Sequence, residues 1–263
     1  MRRADDLHEE PAGPRVTQVL VVDDSAVVRT AIASILGAAR DFTVETASDP
    51  LIAMRKMALR RPGVIVLDLE MPNMDGLTFL RGIMSADPIP VVICSGMANR
   101  ESDLGIRALE DGAVDIIAKP KLGVRDFIEE YARDIIEVIR NAAASRPQRR
   151  PSAGVAQAAA AAPAKAAGIR YTTDKIVAVA ASTGGTEAIR TLLQAMPPDA
   201  PALVIVQHMP AVFTAAFAKR LHEVCRIDVK EAAAGDKLAA GRALIAPGNR
   251  HTLVRKSGAH YVI

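Results

Sequence analysis

The sequence predicts an α/β protein with two units: a doubly wound (βα)5 domain in its first half and a second, smaller α/β domain with a parallel sheet. Three observations predict this fold class. Short apolar runs alternate strictly with helical segments from residue 19 to residue 140, as in parallel sheets covered by helices on both faces. A stretch rich in Ala and Pro follows, and the alternation then resumes near residue 176.

The five predicted strands of the first half are short, β-branched runs, and each one precedes a segment with helical spacing. Gly37 stops the first helix, and Pro50 starts the second. We place the strands at residues 19–22, 42–47, 64–67, 91–94 and 114–117, and the helices at residues 26–36, 50–59, 76–84, 101–110 and 124–140.

The composition narrows the class of protein. Half of the 263 residues are hydrophobic, so both units have enough apolar side chains for a core. Aromatic residues make up 3%, Trp is absent and the net charge is +3, which argues against a nucleic-acid partner. No apolar run approaches the length of a membrane span, and we recognise no signal peptide, so we expect a cytoplasmic protein without direct membrane insertion. Cys94 and Cys225 are predicted to be free thiols.

Polar side chains follow four of the predicted strands in the first half: Asp23 and Asp24, Asp68, Ser95 and Lys119. The carboxyl ends of parallel strands meet at one edge of a sheet, so we expect these side chains to converge. Three carboxylates so close repel one another, and Mg²⁺, which prefers oxygen ligands, would relieve that repulsion. Alone, each residue would be an ordinary cap, turn or solvated charge. Together they predict a site that binds Mg²⁺ and a phosphoryl group.

These residues lie in the motifs Val-Val-Asp-Asp-Ser, Val-Leu-Asp-Leu-Glu-Met-Pro-Asn-Met-Asp-Gly and Lys-Pro. The pattern resembles the receiver domain of two-component response regulators. The resemblance implies that a histidine kinase phosphorylates Asp68 and that the bond between Lys119 and the following proline is cis. It implies that Mg²⁺ is held by Asp23, Asp24, Asp68 and the backbone carbonyl of Glu70. It also implies that the phosphoryl group is sensed by Ser95 and Lys119.

Composition also predicts the domain boundaries. Residues 1–16 mix charges with prolines and are expected to form a disordered tail. The receiver-like domain spans residues 17–140. Residues 141–172 are rich in Ala, contain prolines and a cluster of arginines, and are expected to be a semi-flexible linker. The second domain takes up residues 173–263.

The second domain begins with the apolar run 176–181, which is followed by Ser182, Thr183, Gly184, Gly185 and a helical segment. Ser182 is therefore predicted at the carboxyl end of a strand, beside helix-start N–H groups that can stabilise an oxyanion. A nucleophilic serine is one interpretation. Three others stay open: a serine that caps the helix, a Gly-Gly turn that binds phosphate, and an unoccupied turn.

The next apolar run, residues 203–206, ends in Gln-His-Met-Pro, in which the histidine is His208. If the two strands are neighbours in a parallel sheet, His208 and Ser182 face the same edge, and His208 can act as general base. The alternative is a histidine that caps a helix or binds nothing. Asn249 and His251 lie near a predicted turn and are expected to be turn and rim residues rather than ligands, with a contact of His251 to substrate as the alternative. The remaining elements are a helix at 213–224, strands at 227–231 and 243–245, and a hairpin of 253–255 and 261–263.

A receiver-like domain followed by Ala-Ser-Thr-Gly-Gly-Thr, Gln-His-Met-Pro and Ala-Pro-Gly-Asn-Arg-His is similar to the chemotaxis protein-glutamate methylesterase (CheB) family. The resemblance runs from about residue 19 to residue 263. It implies hydrolysis of glutamate methyl esters on methyl-accepting chemotaxis receptors, and deamidation of receptor glutamines, with no cofactor for the esterase. Ser182 would be the nucleophile and His208 the general base, with Thr183, Gly184 and Gly185 shaping the site. The receiver would cover the site until Asp68 is phosphorylated.

One departure from the family concerns the third member of its catalytic triad, an Asp in a Gly-x-Asp-Gly-type segment. No such segment follows His208, and the two later aspartates, Asp228 and Asp236, do not match it. We therefore expect a truncated esterase half with an exposed apolar sheet face and reduced or absent activity. The alternative function is a phosphate sink or kinase-binding protein that uses only the receiver. A DNA-binding regulator would need a helix-turn-helix, which the second half does not predict.

Overall fold

The computed structural model describes residues 16–72, 74–96, 99–120, 125–149 and 175–263, with the backbone alone at 99–100 and 125–130. The predicted tail, apart from Val16, and residues 150–172 of the predicted linker lie outside the described residues. Cys94 and Cys225 are free thiols. Among the helices that are described, none has both the length and the hydropathy to cross a membrane.

The first half forms a five-stranded parallel sheet with helices on both faces. Its elements are β1 (Thr17–Val22), α1 (Ala26–Gly37), β2 (Phe42–Ala47), α2 (Pro50–Leu59), β3 (Val64–Leu67), α3 (Gly76–Ala86), β4 (Val91–Ser95), α4 (Asn99–Glu110), β5 (Asp115–Ala118) and α5 (Arg125–Ala144). The strand order is β2-β1-β3-β4-β5. The predicted doubly wound (βα)5 domain is confirmed, and the order brings the carboxyl ends of β1, β3, β4 and β5 side by side.

Alternate residues of each central strand supply the two faces of this sheet, which explains why β3 is apolar throughout and β1 is apolar from Val19 onward. In β1, Val19 and Val21 share a core with buried residues of α1 and α5. Leu20 and Val22 belong to a second core, on the face covered by α2, α3 and α4. A strand that is buried on both faces has few positions for polar side chains. Polar side chains are therefore concentrated at the strand ends.

The second half contains a four-stranded parallel sheet and a hairpin. Its elements are β6 (Ile176–Ala181), α6 (Gly185–Ala195), β7 (Ala202–Gln207), α7 (Ala211–Val224), β8 (Asp228–Glu231), β9 (Arg242–Ile245), β10 (Arg255–Ser257) and β11 (His260–Val262). The sheet order is β6-β7-β9-β8, so the predicted α/β domain with a parallel sheet is confirmed. The first hairpin strand lies two residues later than predicted, because Ser257 pairs with His260 around Gly258, whose φ is 60°.

The helices α6 and α7 cover one face of the second sheet with apolar side chains such as Ile189, Leu193 and Phe217, all of which are buried. On the strands, Val177 is 40% and Val206 49% exposed. An exposed apolar sheet face was expected from the sequence, and in the described residues these two valines are open to solvent.

The two halves pack against each other through α4 and α7. Phe213 of α7 is fully buried, and its ring lies over Gly105 of α4, where an added Cβ would be 2.8 Å from the ring. Beside this apolar contact, Arg220 Nε donates a hydrogen bond to Glu110 Oε1 at 2.5 Å. The glycine is required at this position because only a residue without a side chain lets the phenylalanine approach the helix so closely.

Candidate functional site

The first candidate site is the acidic edge of the receiver sheet. Asp23 at the end of β1 is 1% exposed, Asp68 at the end of β3 is 2% exposed, and Asp24 is exposed. Carboxylate oxygens of the three residues lie within 4.8 Å of one another. Backbone N–H groups orient the two buried carboxylates: that of Ser25 donates to Asp23 at 2.8 Å, and that of Glu70 donates to Asp68 at 3.3 Å. The predicted convergence of these aspartates is therefore present.

Lys119, which follows β5, neutralises part of this charge. Its ammonium group lies 2.8 Å from Asp68 Oδ2 and 3.5 Å from Asp23 Oδ2. Burial raises the pKa of Asp68 to about 6 against the opposing effect of Lys119, and burial likewise raises the pKa of Asp23. Burial alone would lower the pKa of Lys119, but its hydrogen bond to Asp68 and the two negative charges raise that pKa overall. One cation does not neutralise three carboxylates.

The donor set fits a hard divalent cation such as Mg²⁺. All the side-chain ligands are carboxylate oxygens, which Mg²⁺ prefers over nitrogen or sulfur. Asp23 Oδ2 is buried and has no well-formed hydrogen bond among the described residues, with only the Lys119 ammonium group 3.5 Å away, so it can still accept a metal ion. Glu70 lies directly beyond this edge, two residues after Asp68, and its side chain is exposed.

Ser95, at the end of β4, connects this edge to helix α4. The side chain is 2% exposed, and its hydroxyl donates to Glu101 in the first turn of α4 at 3.4 Å. The backbone carbonyl of Ser95 accepts from the N–H of Lys119 at 2.8 Å. The described residues contain no cis peptide bond, so the cis bond expected after Lys119 is wrong for this structure. The two residues predicted to sense a phosphoryl group are thus joined through backbone, and Lys119 contacts Asp68.

The second candidate site lies at the carboxyl edge of the second sheet. Strands β6 and β7 pair in parallel, with Ala181 opposite Gln207 as the last pair. The N–H of His208 donates to the carbonyl of Ala181 at 3.0 Å. Ser182 and His208 therefore leave neighbouring strands at the same edge, about 5 Å apart at the backbone. Both residues are exposed.

The turn after Ser182 excludes one of the alternatives for this serine. The capping residue of α6 is Gly184, with a φ of 75°, and no side chain caps this helix in the described structure. The Ser182 carbonyl instead accepts from the N–H of Gly185 at 2.7 Å. The helix-cap interpretation of Ser182 is therefore wrong, and its hydroxyl is available for chemistry. Similarly, Pro210 rather than His208 is the capping residue of α7.

Sequence reasoning missed Gln207, which lies between the two candidate catalytic residues. The side chain is 4% exposed, and its amide nitrogen donates to the backbone carbonyls of Ser182 at 2.9 Å and His208 at 3.1 Å. The available signal was a polar residue at a buried position of an otherwise apolar strand. The structure thus adds one polar side chain to the predicted site.

The receiver also reaches this turn, through the segment that starts β5. The N–H of Gly184 donates to the carbonyl of Val114 at 3.2 Å. Asp115, which is 2% exposed, lies beside the Thr183 hydroxyl. That contact falls short of a full hydrogen bond, since Thr183 Oγ1 and Asp115 Oδ2 both lack a well-formed partner within the described chain. The receiver backbone thus binds an N–H group of the turn that was predicted to stabilise an oxyanion.

Burial raises the pKa of Asp115 to about 6. The N–H of Ile116, the Thr183 side chain and the charge of His208 act in the opposite direction but do not outweigh the loss of water. A carboxyl of the receiver is therefore placed among the candidate catalytic groups at a net electrostatic cost.

Four further polar residues of the second half were singled out from the sequence: Asp228, Asp236, Asn249 and His251. Asp228 binds Arg242 at 2.7 Å, and Asp236 binds Lys230 at 2.8 Å, so both aspartates have cationic partners of their own. Asn249 adopts a φ of 58° in an exposed turn, and His251 is exposed. The predicted turn is present, and the rim role of the two residues stays a prediction.

Comparison with known proteins gives the class and then the family. A response regulator receiver domain model matches residues 19–129, and a CheB methylesterase model matches residues 177–262. The class is therefore a response regulator with an α/β output domain. The solved response regulator domain of Thermotoga maritima CheB is 37% identical, with a TM-score of 0.45, over 51% of this chain and 100% of that one.

Two curated relatives come from Anaeromyxobacter dehalogenans strain 2CP-C: protein-glutamate methylesterase/protein-glutamine glutaminase 1 and 5. They are 57% and 53% identical to this chain, over 92% and 95% of its length and 70% and 72% of their own. This chain belongs to the protein-glutamate methylesterase/protein-glutamine glutaminase family, an enzyme family of chemotaxis response regulators.

Proposed function

We propose that this chain is a phosphorylation-regulated serine esterase of the cytoplasm that hydrolyses glutamate methyl esters on chemoreceptors and deamidates receptor glutamines. The observation that carries the proposal is the β6–β7 register, which places Ser182 and His208 next to each other beyond the last strand pair. The names of the relatives support the substrate class. No cofactor is needed for the esterase.

The chemistry follows from these two side chains and the start of α6. Ser182 Oγ attacks the ester carbonyl carbon while His208 accepts the hydroxyl proton. The N–H of Gly184 is directed at the oxyanion of the tetrahedral intermediate. His208 returns the proton to the departing methoxide, so methanol leaves and an acyl-serine remains. A water molecule, deprotonated by His208, then cleaves the acyl-serine to give glutamate. With glutamine as substrate, ammonia leaves in place of methanol.

The receiver supplies the regulation in this proposal. A chemotaxis histidine kinase transfers a phosphoryl group from its phosphohistidine to Asp68, where an acyl phosphate forms. The cation would be held by Asp23, Asp24, Asp68 and the carbonyl of Glu70. When bound, Mg²⁺ supplies positive charge at the transferring phosphoryl group. Ser95 and Lys119 then bind phosphoryl oxygens.

The contacts between the halves support a route from the phosphoryl group to the esterase site. Val114 accepts the hydrogen bond of the Gly184 N–H, the proposed oxyanion donor, so the receiver blocks that donor although Ser182 and His208 are exposed. Ser95 donates to Glu101 of α4, and α4 packs on α7 through Gly105 and Phe213. A phosphoryl group that draws the Ser95 hydroxyl away from Glu101 would loosen α4 and uncover the turn.

The direct test of the proposed nucleophile is covalent labelling by a fluorophosphonate, which reacts with activated serines. Mass spectrometry of the labelled chain should place the adduct on Ser182 and not on Ser257, an exposed serine of the hairpin. Labelling should accelerate when acetyl phosphate and Mg²⁺ are added. Equal labelling of both serines would contradict the proposal, and phosphorylation of Asp68 with no labelling would favour the phosphate sink.

Asp115 gives the proposal a pH dependence. The pKa of Asp115 is about 6 in the folded chain, against 3.8 for a free side chain. The stability that the protonated carboxyl gives the folded state is fully present below pH 3.8. It is lost as the pH rises through 6, because the buried carboxyl then ionises. Asp115→Asn removes a buried charge and should raise the melting temperature at pH 8 more than at pH 5. The expected gain in the free energy of unfolding at pH 8 is on the order of 3 kcal/mol.

The matched control for this experiment is Asp103→Asn, because Asp103 is an exposed aspartate on α4. Its melting temperature should follow that of the unaltered chain at both pH values. A gain from Asp115→Asn that is equal at pH 5 and pH 8 would contradict the account of the buried carboxylate.

A further inference from the structure

The side chain of Gln207 continues the β6–β7 ladder beyond its last strand pair. The last ladder bond runs from the N–H of His208 to the carbonyl of Ala181. Past that point the strands separate into the Ser182 turn and the His208 segment. The amide nitrogen of Gln207 bridges the two segments. It donates hydrogen bonds to the Ser182 carbonyl at 2.9 Å and to the His208 carbonyl at 3.1 Å. A single amide group therefore joins the backbones of both residues.

The surroundings of Gln207 fix the orientation of its amide. Both partners are carbonyl acceptors, so only the NH₂ side of the amide can face them. The amide oxygen lies against Gly185, where an added Cβ would be 2.3 Å from it. This oxygen is buried and has no hydrogen-bond partner among the described residues, which lowers the free energy of unfolding. The Ser182 carbonyl also accepts from Gly185, so two donors hold it.

We propose that Gln207 is a positioning residue that holds Ser182 and His208 at their reacting distance. This inference rests on the proposed serine esterase. Ser182 and His208 are exposed, and the last ladder bond reaches only the N–H of His208, so sheet bonds do not hold the Ser182 backbone against the His208 segment. Reaction rates depend steeply on such separations, and a displacement of about 1 Å lowers a rate on the order of 10²-fold.

The test compares Gln207→Met and Gln207→Glu with Gln194→Met in the full chain. Methionine retains the length of the side chain without a donor, and glutamate retains the shape but places a carboxylate against two carbonyls. Gln194 is exposed on α6 and accepts from Arg190, so its variant is a matched control. Both Gln207 variants should lower kcat for methanol release on the order of 10²-fold. KM and Asp68 phosphorylation should be unchanged, as should every parameter of Gln194→Met.

A result that overturns the positioning role is an unchanged kcat, or a loss confined to KM. A second measurement does not depend on how the variants fold. In the unaltered chain, both side-chain amide protons of Gln207 should exchange slowly with solvent, because both are donated within the protein. Fast exchange of either proton would overturn the proposal.

Ser182→Ala separates this inference from the proposed function. If Ser182→Ala releases methanol at the rate of the unaltered chain, the serine esterase itself is wrong, and the positioning role falls with it. If Ser182→Ala is inactive while Gln207→Met retains its full kcat, only the positioning role is overturned. If both lose kcat and Gln194→Met does not, both proposals are supported.

Discussion

Replacing His208 by glutamine is expected to lower methanol release on the order of 10²- to 10⁴-fold, the usual contribution of a general acid–base group. Glutamine is close in size but cannot accept the Ser182 proton and return it to methoxide. The backbone bond of His208 to Ala181 does not depend on the side chain, so the fold should be retained.

The control for this prediction is His260→Gln. His260 is an exposed histidine on β11 of the hairpin, and its replacement should leave the methanol rate within a small factor of that of the unaltered chain. Comparable losses in the two variants would show that the assay reports on a general property of histidine removal. A rate for His208→Gln close to that of the unaltered chain would exclude His208 as the base.

The second large effect is expected from Gly105→Val, which should activate the unphosphorylated enzyme. An added Cβ at this position would be 2.8 Å from the Phe213 ring and 3.1 Å from Ile116. Overpacking of this kind costs roughly 1–3 kcal/mol, which shifts a docking equilibrium about 5- to 150-fold. Part of the strain falls on Ile116 within the receiver, but the shorter contact is with Phe213 of α7, so the esterase turn should be uncovered without phosphorylation.

Gly82→Val is the matched control for Gly105→Val. Gly82 is a glycine in helix α3, and no atom lies within 4 Å of the position its Cβ would take. This variant should change basal activity very little. Methanol release from the two variants without acetyl phosphate measures the effect. Equal activities would contradict the view that the α4–α7 contact holds the site covered.

The fold was predictable because hydrophobic pattern, strand propensity and turn residues all indicated the same elements. Burial on both sheet faces requires apolar, β-branched strands, and the polar residues that end them coincide with Asp23, Asp68 and Ser182. The prediction placed the first hairpin strand too early, because the turn is made by Gly258 and Ala259. Periodicity does not show which of two neighbouring small residues turns the chain.

The candidate site was predictable only in part. Ser182 and His208 follow strands, so their shared edge could be predicted once the strands were paired. Gln207 was missed because nothing in its own position indicates that its side chain bonds backbone carbonyls rather than solvent. Asp115 was missed because its neighbours come from the other domain, and a single sequence does not say which helices pack between domains. The roles of Gln207 and Asp115 are defined by tertiary contacts and not by local sequence pattern.

The measurement that tests the central claim most directly is methanol release from methylated chemoreceptors, with and without acetyl phosphate and Mg²⁺, by the unaltered chain, Ser182→Ala and Asp68→Asn. We predict release that requires Ser182 under all conditions and rises on phosphorylation only when Asp68 is present. Release that persists in Ser182→Ala would contradict the serine esterase. Release by the unaltered chain that is indifferent to acetyl phosphate would contradict its control by the receiver.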